Sequence, residues 1–142
     1  MTDKPTVLIV EDEVMIRELY FFTLTRAGYT VKTAGSSTET FSTLRDFKAD
    51  VIFLDIMLPG MSGLDILKTL RSDAQYNALE SRIVLITNLG QQNLAETAMH
   101  EHADGYIIKA DIVPKDLITV IESFRPGNAQ VADQVPMRKF TV

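Results

Sequence analysis

The sequence contains no cysteine and no tryptophan in 142 residues. The absence of cysteine excludes disulfides, thiolate zinc sites, iron–sulfur clusters and thiol nucleophiles. Long apolar runs are also missing, since nothing approaches the roughly 18 residues that span a bilayer, and the run over 51–59 is interrupted by Asp55. Residues 1–5 carry one lysine and no apolar segment, so they do not form a secretory signal. We expect a soluble, cytoplasmic protein that does not bind membranes.

Basic residues are too few to balance the acidic ones. Lysine and arginine total 14 against 19 aspartates and glutamates, which gives a formal net charge of −5. An acidic surface repels nucleic-acid phosphates, so we expect no DNA or RNA binding by this domain. The length is close to the typical domain size of about 150 residues and predicts one domain.

Five short apolar runs alternate with segments whose apolar residues recur at helical spacing. The runs are residues 6–10, 29–33, 51–54, 83–87 and 106–109. Short runs of this kind are typical of buried parallel strands, and the second, which is the most polar, suits a sheet edge. Strict alternation predicts helices on both faces of a parallel sheet. Five units are too few for an eight-fold barrel. The expected fold class is therefore α/β, a doubly wound (βα)5 three-layer sandwich with a five-stranded parallel sheet.

Capping signals mark several helix ends. Ser36 precedes Glu39 by three residues, and Ser62 precedes Asp65 in the same way, which is the spacing of a capping box. Pro114 suits the first position of the fifth helix, because proline is tolerated there.

Two segments show no clear pattern. Residues 72–82 are long for a connection between a helix and a strand, and we expect them to be loose. Residues 126–142 lack periodicity and are too few for a second domain. We therefore place the domain at residues 1–125 and expect a flexible C-terminal tail over 126–142.

Acidic, hydroxyl and ammonium side chains follow the predicted strands: Glu11, Asp12 and Glu13, then Asp55, Thr87 and Lys109. Ligands of open α/β sheets bind outside the carboxyl ends of the strands. Each residue alone has an ordinary explanation, as a helix-capping acid, a turn aspartate, a strand threonine or a solvated lysine. None of them decides a function by itself.

Their joint placement indicates a metal-dependent phosphoryl site. Carboxylates gathered at one rim need a compensating cation, and oxygens from Asp12 and Asp55 suit Mg²⁺. Lys109 adds more positive charge than the carboxylates alone require, so the site is suited to an additional anion. An aspartate can attack phosphorus and form an acyl phosphate, and Asp55 is the best candidate for that role.

Four segments resemble the receiver domain of response regulators, the phosphoacceptor half of two-component signalling. They are VLIVEDE (7–13), VIFLDIMLPGMSGLDIL (51–67), IVLITN (83–88) and GYIIKAD (105–111). They occur in the family's order and spacing, and the similarity covers roughly residues 5–125. The resemblance implies a flavodoxin-like fold with strand order 2-1-3-4-5.

The resemblance also implies a role for each residue of the rim. Asp55 corresponds to the aspartate that accepts a phosphoryl group from a histidine kinase or phosphotransfer protein. Thr87 corresponds to the switch hydroxyl, Lys109 to the lysine that pairs with the phosphate, and Tyr106 to the switch aromatic. The implied ligands of Mg²⁺, or of Mn²⁺ in its place, are Asp55, Asp12, Glu11 through water and the backbone carbonyl of Met57. Such a domain phosphorylates and dephosphorylates itself and is not a turnover enzyme.

Two positions depart from the family pattern. The family usually has a proline after the lysine, commonly with a cis bond, whereas this chain has Ala110. A cis bond before a non-proline residue costs about 2.5–4 kcal/mol, so the geometry of this bond is left open. The residue after the switch threonine is usually small, whereas here it is Asn88, which can narrow access to Asp55 or contact the phosphate.

Several functions remain open from the sequence. Phosphorylation is expected to change the surface over 91–124 for a downstream protein, with candidate contacts at Gln91, Gln92, Asn93, Glu96, His100 and Lys115. The chain is a stand-alone switch, the receiver part of a longer transcription factor or hybrid kinase, or a constitutive binding module that is not phosphorylated. A phosphohydrolase of the haloacid-dehalogenase type is disfavoured because its second aspartate is replaced by Met57.

Overall fold

Short runs of aliphatic and β-branched residues form the strands, and the amphipathic segments between them form the helices. The computed structural model describes residues 4–88, 90–100, 102–127 and 137–139. The strands are β1 (Thr6–Val10), β2 (Thr30–Ala34), β3 (Val51–Asp55), β4 (Arg82–Thr87), β5 (Gly105–Ile108) and β6 (Met137–Lys139). The helices are α1 (Val14–Arg26), α2 (Ser37–Asp46), α3 (Gly63–Ser72), α4 (Gln92–His100) and α5 (Asp116–Ser123). In these parts of the chain, none of the helices has the length and apolar character needed to cross a membrane.

The strands form one sheet in the order β2-β1-β3-β4-β5-β6. The first five strands are parallel, so the predicted 2-1-3-4-5 order is confirmed. The most polar strand, β2, lies at an edge, as expected, and its side chains alternate between exposed and half-buried. At the centre, β3 lies between β1 and β4, and all five of its residues are buried.

Alternate residues of each strand point to opposite faces of the sheet and build two cores. Leu8 and Val10 of β1 belong to the core on the side of α2, α3 and α4. Val7 and Ile9 belong to the core on the side of α1 and α5. Burial of each such side chain contributes about 1.5–3 kcal/mol, so the two cores stabilise the sheet that carries the carboxyl rim.

A sixth strand extends the expected five-stranded sheet. Met137 lies opposite Ile107 and Lys139 opposite Gly105, in an antiparallel pairing of β6 with β5. The expected flexible tail falls largely on residues 128–136 and 140–142, which lie outside the described residues, whereas 137–139 form β6. A three-residue strand that pairs through backbone groups leaves no periodic signal in the sequence.

The capping boxes are confirmed. Ser36 Oγ accepts a hydrogen bond from the Glu39 amide at 3.2 Å, and Ser62 Oγ accepts one from the Asp65 amide at 3.3 Å. The fifth helix begins at Asp116, two residues later than predicted from Pro114.

Residues 72–82, expected to be loose, are instead fixed to the fold. Tyr76 and Ala78 are buried, and a 3-10 turn covers Ala74–Tyr76. The guanidinium of Arg71 donates to the carbonyls of Ala78 at 2.9 Å and Ser81 at 2.7 Å. One half-buried arginine thus fixes the conformation of a connection whose polar composition gives no periodic signal.

Candidate functional site

The parallel strands place the predicted residues on one rim of the sheet. Asp55 is the last residue of β3 and Thr87 the last of β4. Glu11 and Lys109 directly follow β1 and β5. Because β3 lies between β1 and β4, Asp55 is at the centre of this rim.

Three carboxylates converge on the rim. One oxygen from each of Glu11, Asp12 and Asp55 lies within 4.8 Å of the others. Glu11 is fully buried and Asp55 is 4% exposed, whereas solvent reaches Asp12. Carboxylate oxygens gathered this closely, with one member open to solvent, fit a divalent cation such as Mg²⁺.

Lys109 joins two of these carboxylates. Its Nζ lies 2.7 Å from Glu11 Oε1 and 3.1 Å from Asp55 Oδ2. Burial lowers the pKa of Lys109, but the hydrogen bond to Glu11 and the charge of Asp55 outweigh burial and raise the pKa above its ordinary value. The lysine therefore stays charged and partly neutralises the acidic cluster.

Each oxygen of the Glu11 carboxylate accepts a hydrogen bond from within the protein. Oε1 accepts from Lys109, and Oε2 accepts from the backbone amide of Glu13 at 3.1 Å. Glu13 is the N-cap of α1, and its own side chain makes no capping bond. Because the Glu11 carboxylate accepts from the Glu13 amide, it lies beside the positive end of α1. Both oxygens of Glu11 are thus engaged within the protein.

The loop after Asp55 fixes the orientation of its carboxylate. The amide of Met57 donates to Asp55 Oδ1 at 2.9 Å, while the Met57 side chain is 51% exposed. The amide of Gly63 donates to the carbonyl of Ile56 at 2.8 Å and closes the loop. A β-carbon at Gly63 would lie 2.4 Å from the Asp55 carbonyl oxygen, so only glycine allows this approach. This requirement for glycine was not predicted from the sequence.

Thr87, at the rim, and Tyr106, within β5, are both buried. The Thr87 side chain is fully buried, and its hydroxyl donates to the carbonyl of Asn88 at 3.2 Å. Tyr106 is 3% exposed, and its hydroxyl lies 3.4 Å from Glu96 Oε1 on α4. The aromatic ring on β5 is therefore linked to a residue on the neighbouring helix.

The two departures from the family pattern have simple structural outcomes. The peptide bond between Lys109 and Ala110 is trans, and a 3-10 turn over Lys109–Asp111 follows β5. Asn88 is exposed. Lys109 reaches both carboxylates with the trans bond in place, so alanine at position 110 is compatible with the network.

Tyr20 belongs to the surroundings of the site although the sequence analysis placed it only on the apolar face of α1. It is 5% exposed. Burial raises the pKa of its phenol; the positive charge of Lys109 opposes this effect, and the negative charges of Glu11 and Asp55 add to it. The charged groups of the rim therefore act on the phenol of Tyr20 on α1.

Three of the four predicted partner-facing side chains that the structure describes are exposed. Asn93, Glu96 and Lys115 are exposed, and Gln91 is half-buried. The side chains of Gln92 and His100 lie outside the described residues. Leu94 on the same helix is 44% exposed, so α4 presents apolar as well as polar groups.

Known proteins identify the family of the chain. The family model of the response regulator receiver domain matches residues 7–122, and the chain belongs to this family. It is 31% identical over 134 residues to the phosphate regulon transcriptional regulatory protein PhoB of Pseudomonas aeruginosa, over 92% of this chain and 57% of that protein. It is 28% identical to the DNA-binding response regulator MtrA of Mycobacterium bovis, over 86% of this chain and 51% of that protein. The chain thus spans about half of the length of these regulators.

Solved structures share the fold. The chemotaxis response regulator CheY4 of Vibrio cholerae superimposes with a TM-score of 0.72 at 27% identity, over 83% of this chain and 96% of that chain. The receiver domain of NtrX from Brucella abortus gives a TM-score of 0.73 at 30% identity, over 82% of this chain and 94% of that chain. The chain is therefore a receiver domain with the flavodoxin-like fold.

Proposed function

We propose that the chain is a phosphorylation switch of a two-component system or phosphorelay. Asp55 accepts a phosphoryl group from the phosphohistidine of a histidine kinase or phosphotransfer protein. The observation that carries this proposal is the ammonium of Lys109, which joins the buried carboxylates of Glu11 and Asp55. A fixed positive charge at this position stabilises the negative charge that a phosphoryl group brings.

The transfer needs positioning more than it needs a general base. An oxygen of Asp55 attacks phosphorus, the bond from phosphorus to the donor imidazole breaks, and the electron pair returns to the ring nitrogen, which takes up a proton. The Met57 amide and Lys109 each hold one oxygen of Asp55, so the carboxylate is oriented before the donor arrives.

The acidic cluster is the proposed metal site. Asp12, Asp55 and the backbone carbonyl of Met57 would hold Mg²⁺, or Mn²⁺ in its place, and Glu11 would act through water. Glu11 is fully buried, whereas solvent reaches Asp12, which supports the indirect role of Glu11. A bound ion supplies positive charge that offsets the charge of the transferring group.

Thr87 and Tyr106 are the proposed switch. The Thr87 hydroxyl turns from the Asn88 carbonyl toward a phosphoryl oxygen, and Tyr106 changes its contact with Glu96 on α4. The surface over 91–124 then binds or releases a downstream protein, because the two states present different contacts.

Two contexts fit the proposed switch. In the first the chain acts alone in the cytoplasm through its 91–124 surface. In the second it is the receiver part of a longer regulator, which is supported by its coverage of about half of PhoB, 57%. DNA binding in that second context belongs to another part of the protein, since this domain has a net charge of −5.

The proposal is tested by treating the purified protein with a small phosphodonor and Mg²⁺ and recording its intact mass. We expect one added phosphoryl group, which Asp55→Asn abolishes. The matched control is Asp111→Asn, because Asp111 is an exposed carboxylate two residues after Lys109. This variant should still be phosphorylated.

Beryllofluoride with Mg²⁺ tests the switch in the same protein by NMR. We expect amide shifts at Asp55 that extend to Thr87, Tyr106 and the 91–124 surface. The absence of both an adduct and Mg²⁺-dependent shifts would overturn the proposal in favour of a constitutive binding module.

A further inference from the structure

Arg17 connects the first helix to the acidic rim. It lies in the first turns of α1, and its backbone amide donates to the carbonyl of Glu13 at 2.9 Å. Long side chains on a helix point back toward the N-terminus. The Arg17 side chain follows this rule, and its Nη1 donates to the backbone carbonyl of Glu11 at 2.9 Å.

Gly35 provides the space for this guanidinium. It follows β2 and precedes Ser36, the N-cap of α2. A β-carbon at position 35 would lie 2.5 Å from Arg17 Nη1 and 3.4 Å from Arg17 Cζ. Gly35 is not among the glycines with positive φ, so its backbone conformation does not require glycine. The Arg17 guanidinium occupies the space beside position 35, so a side chain there would displace Nη1 from its observed place.

The carbonyl that Arg17 binds belongs to the peptide unit between Glu11 and Asp12. A peptide unit is planar, so fixing its oxygen also fixes the position of the Asp12 amide nitrogen. The amide of Glu11 is already bound to the carbonyl of Ala34 at 3.0 Å. Arg17 therefore immobilises the backbone unit that carries Asp12, the member of the acidic cluster that solvent reaches.

We propose that Arg17, in the space left by Gly35, is a positioning residue that sets the affinity of the acidic cluster for Mg²⁺. The inference rests on the metal site of the proposed function. Arg17 acts through the Glu11–Asp12 peptide and does not touch the metal. Residues that orient the ligands of a metal typically change its affinity by about 10-fold or more when they are removed.

The test is the dissociation constant of Mg²⁺, measured by calorimetry and by amide shifts in NMR on the whole chain. Arg17→Ala should weaken Mg²⁺ binding about 10-fold because the peptide unit loses its anchor. Gly35→Ala should weaken binding to a similar extent although Arg17 is still present, because the new methyl group takes the place of Nη1. The double variant should bind no more weakly than Arg17→Ala, since both substitutions break one contact.

Arg26→Ala is the matched control, because Arg26 is an exposed arginine in the last turn of the same helix. Its Mg²⁺ affinity should equal that of the wild-type protein. Urea unfolding is measured in parallel, because a purely structural role would lower stability and leave the Mg²⁺ affinity of the folded protein unchanged. Equal Mg²⁺ affinity in the wild-type, Arg17→Ala and Gly35→Ala proteins would overturn the inference. A wild-type protein that binds no Mg²⁺ would instead overturn the proposed metal site itself.

Discussion

Lys109 and Glu11 are 98 residues apart in the sequence, yet Lys109 Nζ lies 2.7 Å from Glu11 Oε1. The Glu11 side chain is fully buried, and that of Lys109 is 18% exposed. The ion pair joins the ends of β1 and β5 across the two strands that separate them in the sheet. The geometry of the acidic rim therefore depends on the whole parallel sheet.

Removing the cation should destabilise the fold. Lys109→Met leaves the buried carboxylate of Glu11 without its counter-charge, and we expect the free energy of unfolding to fall by about 3 kcal/mol. Urea denaturation followed by circular dichroism measures the change. Lys48→Ala removes an exposed lysine and should stay within about 0.5 kcal/mol of wild type. A Lys109→Met protein as stable as Lys48→Ala would contradict a structural role of the pair.

The contribution of Lys109 should disappear at high pH. Its pKa is raised above the ordinary value of 10.5, so the folded state holds this proton more tightly than the unfolded state. The stabilisation is complete below the unfolded pKa and is lost as pH rises toward the raised folded pKa. The stability difference between wild type and Lys109→Met should be constant from about pH 7 to pH 9 and should shrink above about pH 10. A difference that grows above pH 10 would show the opposite linkage.

The glycine at the start of α3 should tolerate no side chain. In Gly63→Ala the methyl group meets the Asp55 carbonyl oxygen at 2.4 Å and the Ile56 Cα at 2.7 Å, so α3 or the loop must move. We expect a loss of about 3 kcal/mol in the free energy of unfolding, together with an NMR shift at Asp55. Gly60→Ala is the comparison, because it has no neighbour within 4 Å but a φ of +84°. Its loss should be about 1–2 kcal/mol, with Asp55 unchanged.

Arg71 should be a large single contributor to stability. Its Nε donates to the carbonyl of His102 at 2.9 Å, and its Nη2 lies 3.0 Å from Asp104 Oδ2, in addition to its contacts with 72–82. Arg71→Ala leaves several acceptors unpaired and should cost about 3 kcal/mol. Arg71→Lys should recover little, because one ammonium does not reproduce the planar fork. Proteolysis between 72 and 82 should increase in both variants and stay slow in the Arg26→Ala control.

In the metal-free protein, repulsion among the carboxylates of Glu11, Asp12 and Asp55 should lower the free energy of unfolding. In Asp12→Asn one of three carboxylates within 4.8 Å is neutralised, so we expect the metal-free protein to gain about 1 kcal/mol of stability. Mg²⁺ should raise the melting temperature of the wild type and should have little effect on Asp12→Asn. Glu80→Gln neutralises an exposed glutamate in a loop and should change neither property. A loss of stability in metal-free Asp12→Asn would argue against repulsion in the cluster.

Most of the fold and the residues of the rim could be predicted because the strands that end at the rim, and the helix caps, leave local signals in the sequence. Strand runs and capping serines locate the elements within one or two residues, and Asp55 and Lys109 were found because they stand where strands end. The start predicted from Pro114 differs because the first turn there is closed by bonds between residues three apart, from the Asp116 amide to the Val113 carbonyl at 2.9 Å and from the Leu117 amide to the Pro114 carbonyl at 3.1 Å, so the α-helix begins at Asp116. The Val113 amide also donates to Asp116 Oδ2 at 2.9 Å, a capping contact that supports the turn at Pro114.

The remaining features depend on contacts between distant segments. The role of Arg17 needs the path of its side chain past Gly35, 18 positions later in the sequence. The fixed conformation of residues 72–82 depends on the contacts of Arg71, and β6 forms by backbone pairing with β5. None of these contacts leaves a periodic pattern, because each is defined only once the sheet has brought the segments together.

The Lys109–Glu11 pair also bears on the order of events during synthesis. The ribosome adds Glu11, Asp12 and Asp55 before it adds Lys109. A nascent chain of intermediate length therefore contains the acidic residues of the rim but not their cation. Such a chain lacks the contact that fixes Glu11 and one oxygen of Asp55. The site is therefore assembled only when the last parallel strand joins the sheet, and truncated products that end before residue 109 would lack it.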